Sequence, residues 1–464
     1  MLSGIRWRTN PYTLYVYGME LPMSFLGSSA GTTSIVYYIN SGHLNPLQLV
    51  TLGTAVELAY FVAQLPTGVL ADLVSRRLCV VLGWILLGIG FAEQGVSPAF
   101  ANLIVAQVVI GVGAALQSGA QDAWIADELN EAAMTPVYVR AAQWGLVGTI
   151  GGAVVSAVLA EQRLYLPLLL GGIGISLVGL LLGLLMPQSD FRGPTSSDAE
   201  PIGTIGTIVS RSWQLFTGQL RASRTAILAV PGFVLLLGMT FFTGMWGESF
   251  DRLWGAFLIQ DIHFPGLLGL RPATWISATA VVVALLGLGS TEIAKRRIDR
   301  LGHTAVAGTL LAVTALIGVG VPAMASAHGF ALAIASYLLV QVLRPVAYPL
   351  VSGWIVTRVD SRVRATALSA RDMFDSGGQS LGGPVVGWIG LVATIRTALY
   401  AGAIALVPAI ALLLAATRRI PAAPEGPEQG PDDGAGDGAG GGPLVDAGTA
   451  GLGGGALLPV EDSG

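Results

Sequence analysis

Long apolar runs, each close to the length of a bilayer crossing, recur almost without pause from residue 12 to residue 416. A helix rises 1.5 Å per residue, so roughly 20 mainly apolar residues span about 30 Å of hydrocarbon. The pattern predicts twelve spans, near 12–39, 47–70, 78–96, 99–121, 140–160 and 164–186, then 226–257, 274–293, 304–325, 328–356, 366–390 and 393–416. The runs are continuous rather than alternating, which argues for helices and against a membrane β-barrel. Two polar stretches interrupt them. Residues 187–224 are rich in Pro, Ser, Asp and Arg; within them Ile202, Ile205, Ile208, Val209, Leu215 and Phe216 fall at near-helical spacing around Arg211. That spacing suits a short helix lying on the membrane surface, with a plain linker as the alternative. From about residue 421 the chain is Pro, Gly, Asp and Glu with few aromatics, a composition that buries too little apolar surface to fold.

The expected fold class is therefore an all-α polytopic membrane protein with twelve transmembrane helices in two six-helix bundles. Its expected domains are residues 1–186, a cytoplasmic connector 187–224, residues 225–420 and a disordered cytoplasmic tail 421–464. Composition agrees, with 53% hydrophobic and only 11% charged residues. The 63 glycines suit spans in which helices approach closely. The single cysteine, Cys79, excludes a disulfide framework and reads as a small apolar residue in a span. The first apolar run is too long for a cleavable signal peptide and lacks a small-residue cleavage site.

Basic residues set the expected orientation. With the N-terminus in the cytoplasm, about 19 of the 24 Lys and Arg residues fall on that side, among them Arg6, Arg8, Arg76, Arg77, Arg140, Lys295, Arg296 and Arg418. Only Arg163, Arg271 and Arg396 fall opposite, and Arg252 and Arg344 lie inside spans. Both termini are thus expected in the cytoplasm.

A charge at the bilayer centre costs roughly 2.5–3.5 kcal/mol, so each intramembrane charge needs a partner, a watery cavity or a task. Glu20 lies in the first span beside Gly18 and Pro22, and Glu57 near the middle of the second with Tyr60 and Phe61 following. Arg344 lies in the tenth, directly before Pro345, and Glu248, Asp251 and Arg252 cluster in the seventh. Glu57 suits a cavity acid or proton carrier; a structural hydrogen bond to a neighbouring helix is the alternative. Glu20 divides between the same two readings. Glu248 and Arg252, four residues apart, suit a self-neutralised pair near the outer surface. Arg344 suits either an anionic group on a substrate or neutralisation of Glu20 or Glu57 across a cavity. Aromatics in the spans, Tyr60 among them, suit packing and interface belts, a minority offering cation–π contact to an amphipathic cation.

Between the second and third spans stands Gly68-Val-Leu-Ala-Asp72-Leu-Val-Ser75-Arg76-Arg77. It resembles the signature loop of the major facilitator superfamily, G-x-x-x-D-x-x-G-R-[KR], matching at Gly68, Asp72, Arg76 and Arg77, with Ser75 in place of the second glycine. Leu65-Pro66-Thr67-Gly68 and the run from Ser118 through Asp122 and Trp124 to Asp127 are similar to a bacterial drug- and metabolite-exporter-like branch. The fourth span lacks the arginine, and the fifth the proline, of many proton antiporters. The resemblance implies twelve helices, a small-molecule substrate and alternating access. It also implies a gating role in which Asp72 pairs with Arg76 against the start of the eleventh helix, near Arg364 and Arg371, with Asp122 beside it. Asp299-Arg300-Leu301-Gly302 after the eighth span echoes the loop and supports a repeat of two halves.

The expectation is proton-coupled export of an amphipathic drug or metabolite through a monomer in a bacterial plasma membrane. A proton-coupled importer of a small metabolite and a non-transporting sensor or scaffold are the alternatives. No enzyme, cofactor, metal or nucleic-acid signal emerges: His43, His263, His303 and His328 lack ligand spacing, and there is no phosphate-cradling G-x-x-x-x-G-K-[ST].

Overall fold

The computed structural model describes residues 10–73, 75–129, 131–187, 214, 217–218, 232–266, 269–301, 304–356, 359 and 364–419. The expected surface helix and the tail lie outside these residues.

The described residues form twelve helical segments. The first, α1, covers residues 11–40 in pieces: Pro11–Thr13, a π-helical stretch Leu14–Glu20, then Leu21–Gly31 and Ser34–Asn40. The Leu21 N–H reaches back to the Val16 carbonyl, and Pro22 follows at once. Proline offers no N–H to the turn before it, which favours such a local widening. After it come α2 (Pro46–Leu73), α3 (Arg76–Val96), α4 (Phe100–Glu128), α5 (Glu131–Gln162) and α6 (Leu166–Leu185). The later helices are α7 (Phe233–Phe257, continued by the π-helical Leu258–Ile262), α8 (Pro272–Leu301), α9 (Thr304–Ser326), α10 (Phe330–Val356), α11 (Arg364–Val392) and α12 (Ile395–Ile404 and Leu406–Arg419). Ten of these are long and apolar enough to cross a membrane. The two that fall short do so for visible reasons: α1 is broken, and α11 carries Arg364, Arg371, Asp372 and Asp375 in its first half.

Among the first six helices, α3 packs on α4 and α6, α2 on α4, and α1 on α5 and α6. Small residues permit this closeness; a Cβ on Gly83 would sit 2.8 Å from the Gly113 carbonyl oxygen, so α3 and α4 touch backbone to backbone. Among the last six, α7 packs on α11 and α12, and α10 on α8 and α9. The two sets meet through α2 against α7 and α11, and α5 against α8.

These contacts between the sets gather at one end, the end opposite Arg76 and Arg77. There Pro46 and Val50 of α2 meet Gly390, Gly387 and Gly383 of α11, and Ile35 of α1 meets Gly255 of α7. Val36, Ala160, Ala273 and Ile276 form a small apolar cluster that joins α1, α5 and α8. Glu161 of α5 closes the same end, 3.1 Å from Arg271 and accepting from Thr274 at 2.6 Å. Leu47, Val50, Thr54, Glu57, Phe61 and Gly68 share one stripe of α2 at helical spacing. The first three are packed on α11, yet a Cβ on Gly68 would meet nothing within 4 Å. Among the described residues, Gly68 is thus not a close-packing point.

Candidate functional site

Glu57 sits one turn beyond Gly53 on the stripe that faces α7 and α11, while Val56, Ala59 and Tyr60 on the neighbouring face pack on Gly111 of α4. It is half-buried and, among the described residues, makes no side-chain hydrogen bond or ion pair. Glu248, Arg252, Asp251 and Asp375 are all within its electrostatic reach. It is a carboxylate held by helix packing at the meeting of the two sets, with no guanidinium assigned to it.

The groups around it are assigned. The Arg252 Nε donates to the Glu248 carboxylate at 2.9 Å, and Glu248 is almost fully buried. The pair is self-neutralised, as its spacing suggests, but it is seated in the contact between α2 and α7, where a Cβ on Gly53 would overlap the Glu248 carboxylate. Arg344 is not an isolated cation. It binds Asp251 with both guanidinium nitrogens, Nη2 at 2.8 Å, takes Gln341 Oε1 at 3.3 Å and lies 5.3 Å from the Trp246 ring centre. Asp251 and Arg344 are 93 residues apart, and a sequence shows no sign of that pairing. Neutralisation of Glu20 or Glu57 by Arg344 is therefore not seen. Tyr60 also points away from the acid beside it: its hydroxyl is 3.3 Å from Ser118 of α4.

Asp375 of α11, absent from the sequence-derived candidates, belongs to this group. Gln379 Nε2 donates to it at 2.7 Å, and it lines a cavity of about 180 Å³ with Thr240, Thr243, Trp246, Arg344 and Arg371. Arg371 lies 6% exposed in the same wall, donating to Ser352 at 2.9 Å, 3.4 Å from Asp372 and stacked 3.8 Å over Tyr348. Counting turns from Arg364 exposes both residues: at 1.5 Å per residue, Arg371 and Asp375 sit about 10 and about 16 Å along the helix.

Glu20 has neutral company. Gln121 of α4 donates to it at 2.7 Å and in turn accepts from Gln117 at 2.7 Å and from the Trp84 indole at 3.4 Å. Asp122, one residue on, accepts from Tyr15 at 3.4 Å and from Tyr138 at 3.5 Å. It thus belongs to the α1–α4–α5 contact rather than to the loop. The glutamines and phenols escape a search for charge, although Gln121 lies one position before an acid in a span.

At the basic end, Ser75 caps α3 by accepting from the Leu78 N–H at 3.3 Å, which explains how serine serves where the family motif has glycine. Arg76 pairs with Asp127 at the end of α4 and donates to the Ala123 carbonyl at 3.0 Å; Arg77 donates to the Gly183 carbonyl of α6. The loop therefore ties α3 to α4 and α6. The side chains of Asp72, Asp299 and Arg364 lie outside the described residues, and with them the expected pairing of Asp72. Arg371 faces Tyr348 and Ser352 of its own set.

Three solved structures share this architecture. The nucleoside transporter NupG is 14% identical, with 88% of this chain and 99% of that one covered at a TM-score of 0.67. A POT family transporter in complex with a thioalcohol-conjugated peptide is 16% identical, with 87% and 95% covered and a TM-score of 0.65. A bacterial homolog of the human lysosomal transporter Spinster, in an inward-facing and unoccupied conformation, is 16% identical, with 88% and 98% covered and a TM-score of 0.64. At such identities the likeness speaks for the fold. The Major Facilitator Superfamily model matches residues 21–370, three quarters of the chain, and with twelve helical segments arranged as described, the chain belongs to that superfamily.

Proposed function

We propose that the chain is a secondary active transporter that exports an amphipathic small molecule in exchange for protons, with Glu57 as the principal proton carrier. The observation that supports this reading is the unpaired carboxylate of Glu57 at the junction of α2, α7 and α11. Leaving such a group in a membrane interior is costly unless a proton or solute meets it there. The neighbouring arginines are committed to Glu248 and Asp251, so compensation from within the protein would require breaking an existing pair.

Residues 1–186 and 225–420 act as two six-helix bundles that rock about this junction, joined by the connector 187–224. With the basic end in the cytoplasm, the contacts among α1, α2, α5, α7, α8 and α11 form the outer seal, and the state described is open toward the cytoplasm. The ties from Arg76 and Arg77 to α4 and α6 make α3, α4 and α6 move together when that end closes.

The test is accumulation of a panel of toxic fluorescent cations, neutral drugs and metabolites in bacterial cells with and without the gene. Export predicts lower accumulation with the gene, restored by an uncoupler and abolished by Glu57→Gln. Higher accumulation would make the chain an importer. No flux of any compound, with Glu57→Gln and Asp72→Asn both silent, would leave a sensor or scaffold.

A further inference from the structure

The charges at the junction do not balance. Glu57, Glu248, Asp251, Asp372 and Asp375 face Arg252, Arg344 and Arg371, so five carboxylates meet three guanidiniums. Each guanidinium already has an acid: Arg252 holds Glu248, Arg344 holds Asp251 and Arg371 holds Asp372. Among the described residues two carboxylates are left over, Glu57 with no partner and Asp375 with only the neutral amide of Gln379.

The elements packed on α11 offer nothing further to Asp375. From α7 come Glu248, Asp251 and Arg252, from α2 Glu57, and from α10 Arg344 and the phenol of Tyr348. From α12 come Tyr400 and Arg396; the latter donates to the carbonyls of Ala325 and Ala327 at the far end. Arg371, one turn before Asp375 on α11, is within its electrostatic reach, but it is shared with Asp372 and Ser352. Asp375 also borders the 180 Å³ cavity, which supplies room for water, and water a route for a proton. A buried acid with a neutral partner and a wet face exchanges a proton without disturbing an ion pair; one clamped by a guanidinium does not.

We propose that Asp375 is a second proton-binding site, coupled to Glu57 across the junction of α2 and α11. When α2 parts from α7 and α11, the two carboxylates separate and both take up protons from the outer side; when the outer end closes again, both release them to the cytoplasm in exchange for the exported solute. Two protons then cross per cycle. This rests on the reading of Glu57 as a proton carrier, and the test separates the two.

The experiment measures proton uptake by the purified full-length protein after a jump from mildly alkaline to mildly acid pH, with an indicator dye, and needs no substrate. Uptake is counted relative to the double variant Glu57→Gln/Asp375→Asn, which removes the background of surface groups. Wild type is expected to take up two protons more than the double variant, and each single variant one more. Asparagine keeps an acceptor for Gln379, and each variant is checked for monodisperse elution; Asp375→Glu should restore the second proton. If wild type exceeds the double variant by one proton, and Asp375→Asn matches wild type, Asp375 is not a proton site while Glu57 remains one. If wild type and the double variant take up the same number, both readings fail.

Discussion

The two sets of six helices treat their intramembrane acids differently. In the first set Glu20 and Asp122 rest on Gln121, Tyr15 and Tyr138, and Glu57 rests on nothing. No guanidinium from that set reaches these three among the described residues; Arg76 and Arg77, at its end, bind Asp127 and a carbonyl. In the last set, by contrast, Glu248, Asp251 and Asp372 each hold an arginine. Neutral donors let a carboxylate gain or lose a proton with little rearrangement. A buried ion pair resists it, because removing either charge strands the other. The acids of the first set thus have neutral partners or none among the described residues, and those of the last set have guanidiniums, Asp375 excepted.

The largest expected effect comes from breaking the holding side. Arg252→Ala strands Glu248, which is only 4% exposed, and should cost about 3 kcal/mol. Thermal unfolding of the purified protein should show a matching fall in stability. Glu248→Gln added to Arg252→Ala should recover most of it. A single variant as stable as wild type would mean that water already screens the pair.

Next is the contact that seats this pair. A side chain at Gly53 would overlap Glu248, so Gly53→Leu should wedge α2 from α7. Overpacking of this kind costs about 1–3 kcal/mol, enough to move an equilibrium between two arrangements by roughly fivefold to a hundredfold. Spin labels across the Ile35–Gly255 and Glu161–Arg271 contacts should report longer distances in the variant. Gly68→Leu, with open space around it in this state, should leave those distances unchanged and hinder closure of the basic end instead.

Arg344→Ala should be milder. Asp251 is 40% exposed, so water takes over part of the guanidinium's role, and about 1 kcal/mol is expected with some loss of Trp246 stacking. A change in intrinsic fluorescence would follow the altered Trp246 environment.

Much of this contrast was legible in the chain. Apolar run length located the spans, because the bilayer sets that length, although α4, α5 and α8 run seven to nine residues past the expected ends at 121, 140 and 293. The cost of a charge in oil singled out Glu20, Glu57 and Arg344. Partners were not legible: Asp251 and Arg344 meet only because α7 and α10 pack, and Arg76 reaches Asp127 only because α3 packs on α4. Asp375 was missed although it lies inside the expected span 366–390: Arg371 near the start of that span reads as a flanking cation, and the acid one turn on was not weighed with the intramembrane charges.

The smallest effect is the sharpest test of the comparison. Glu20→Gln keeps an oxygen that accepts from Gln121 Nε2 at the same place, 2.7 Å away, and removes a like charge from the side of Asp122. Only the difference between a charged and a neutral acceptor is lost, about 1 kcal/mol at most. Thermal stability should barely move, and transport should keep its pH dependence. Should Glu20→Gln instead abolish coupling as fully as Glu57→Gln, Glu20 with its neutral partner would exchange protons as Asp375 is proposed to do. The proposed proton route would then include α1 and α4 as well as α2 and α11.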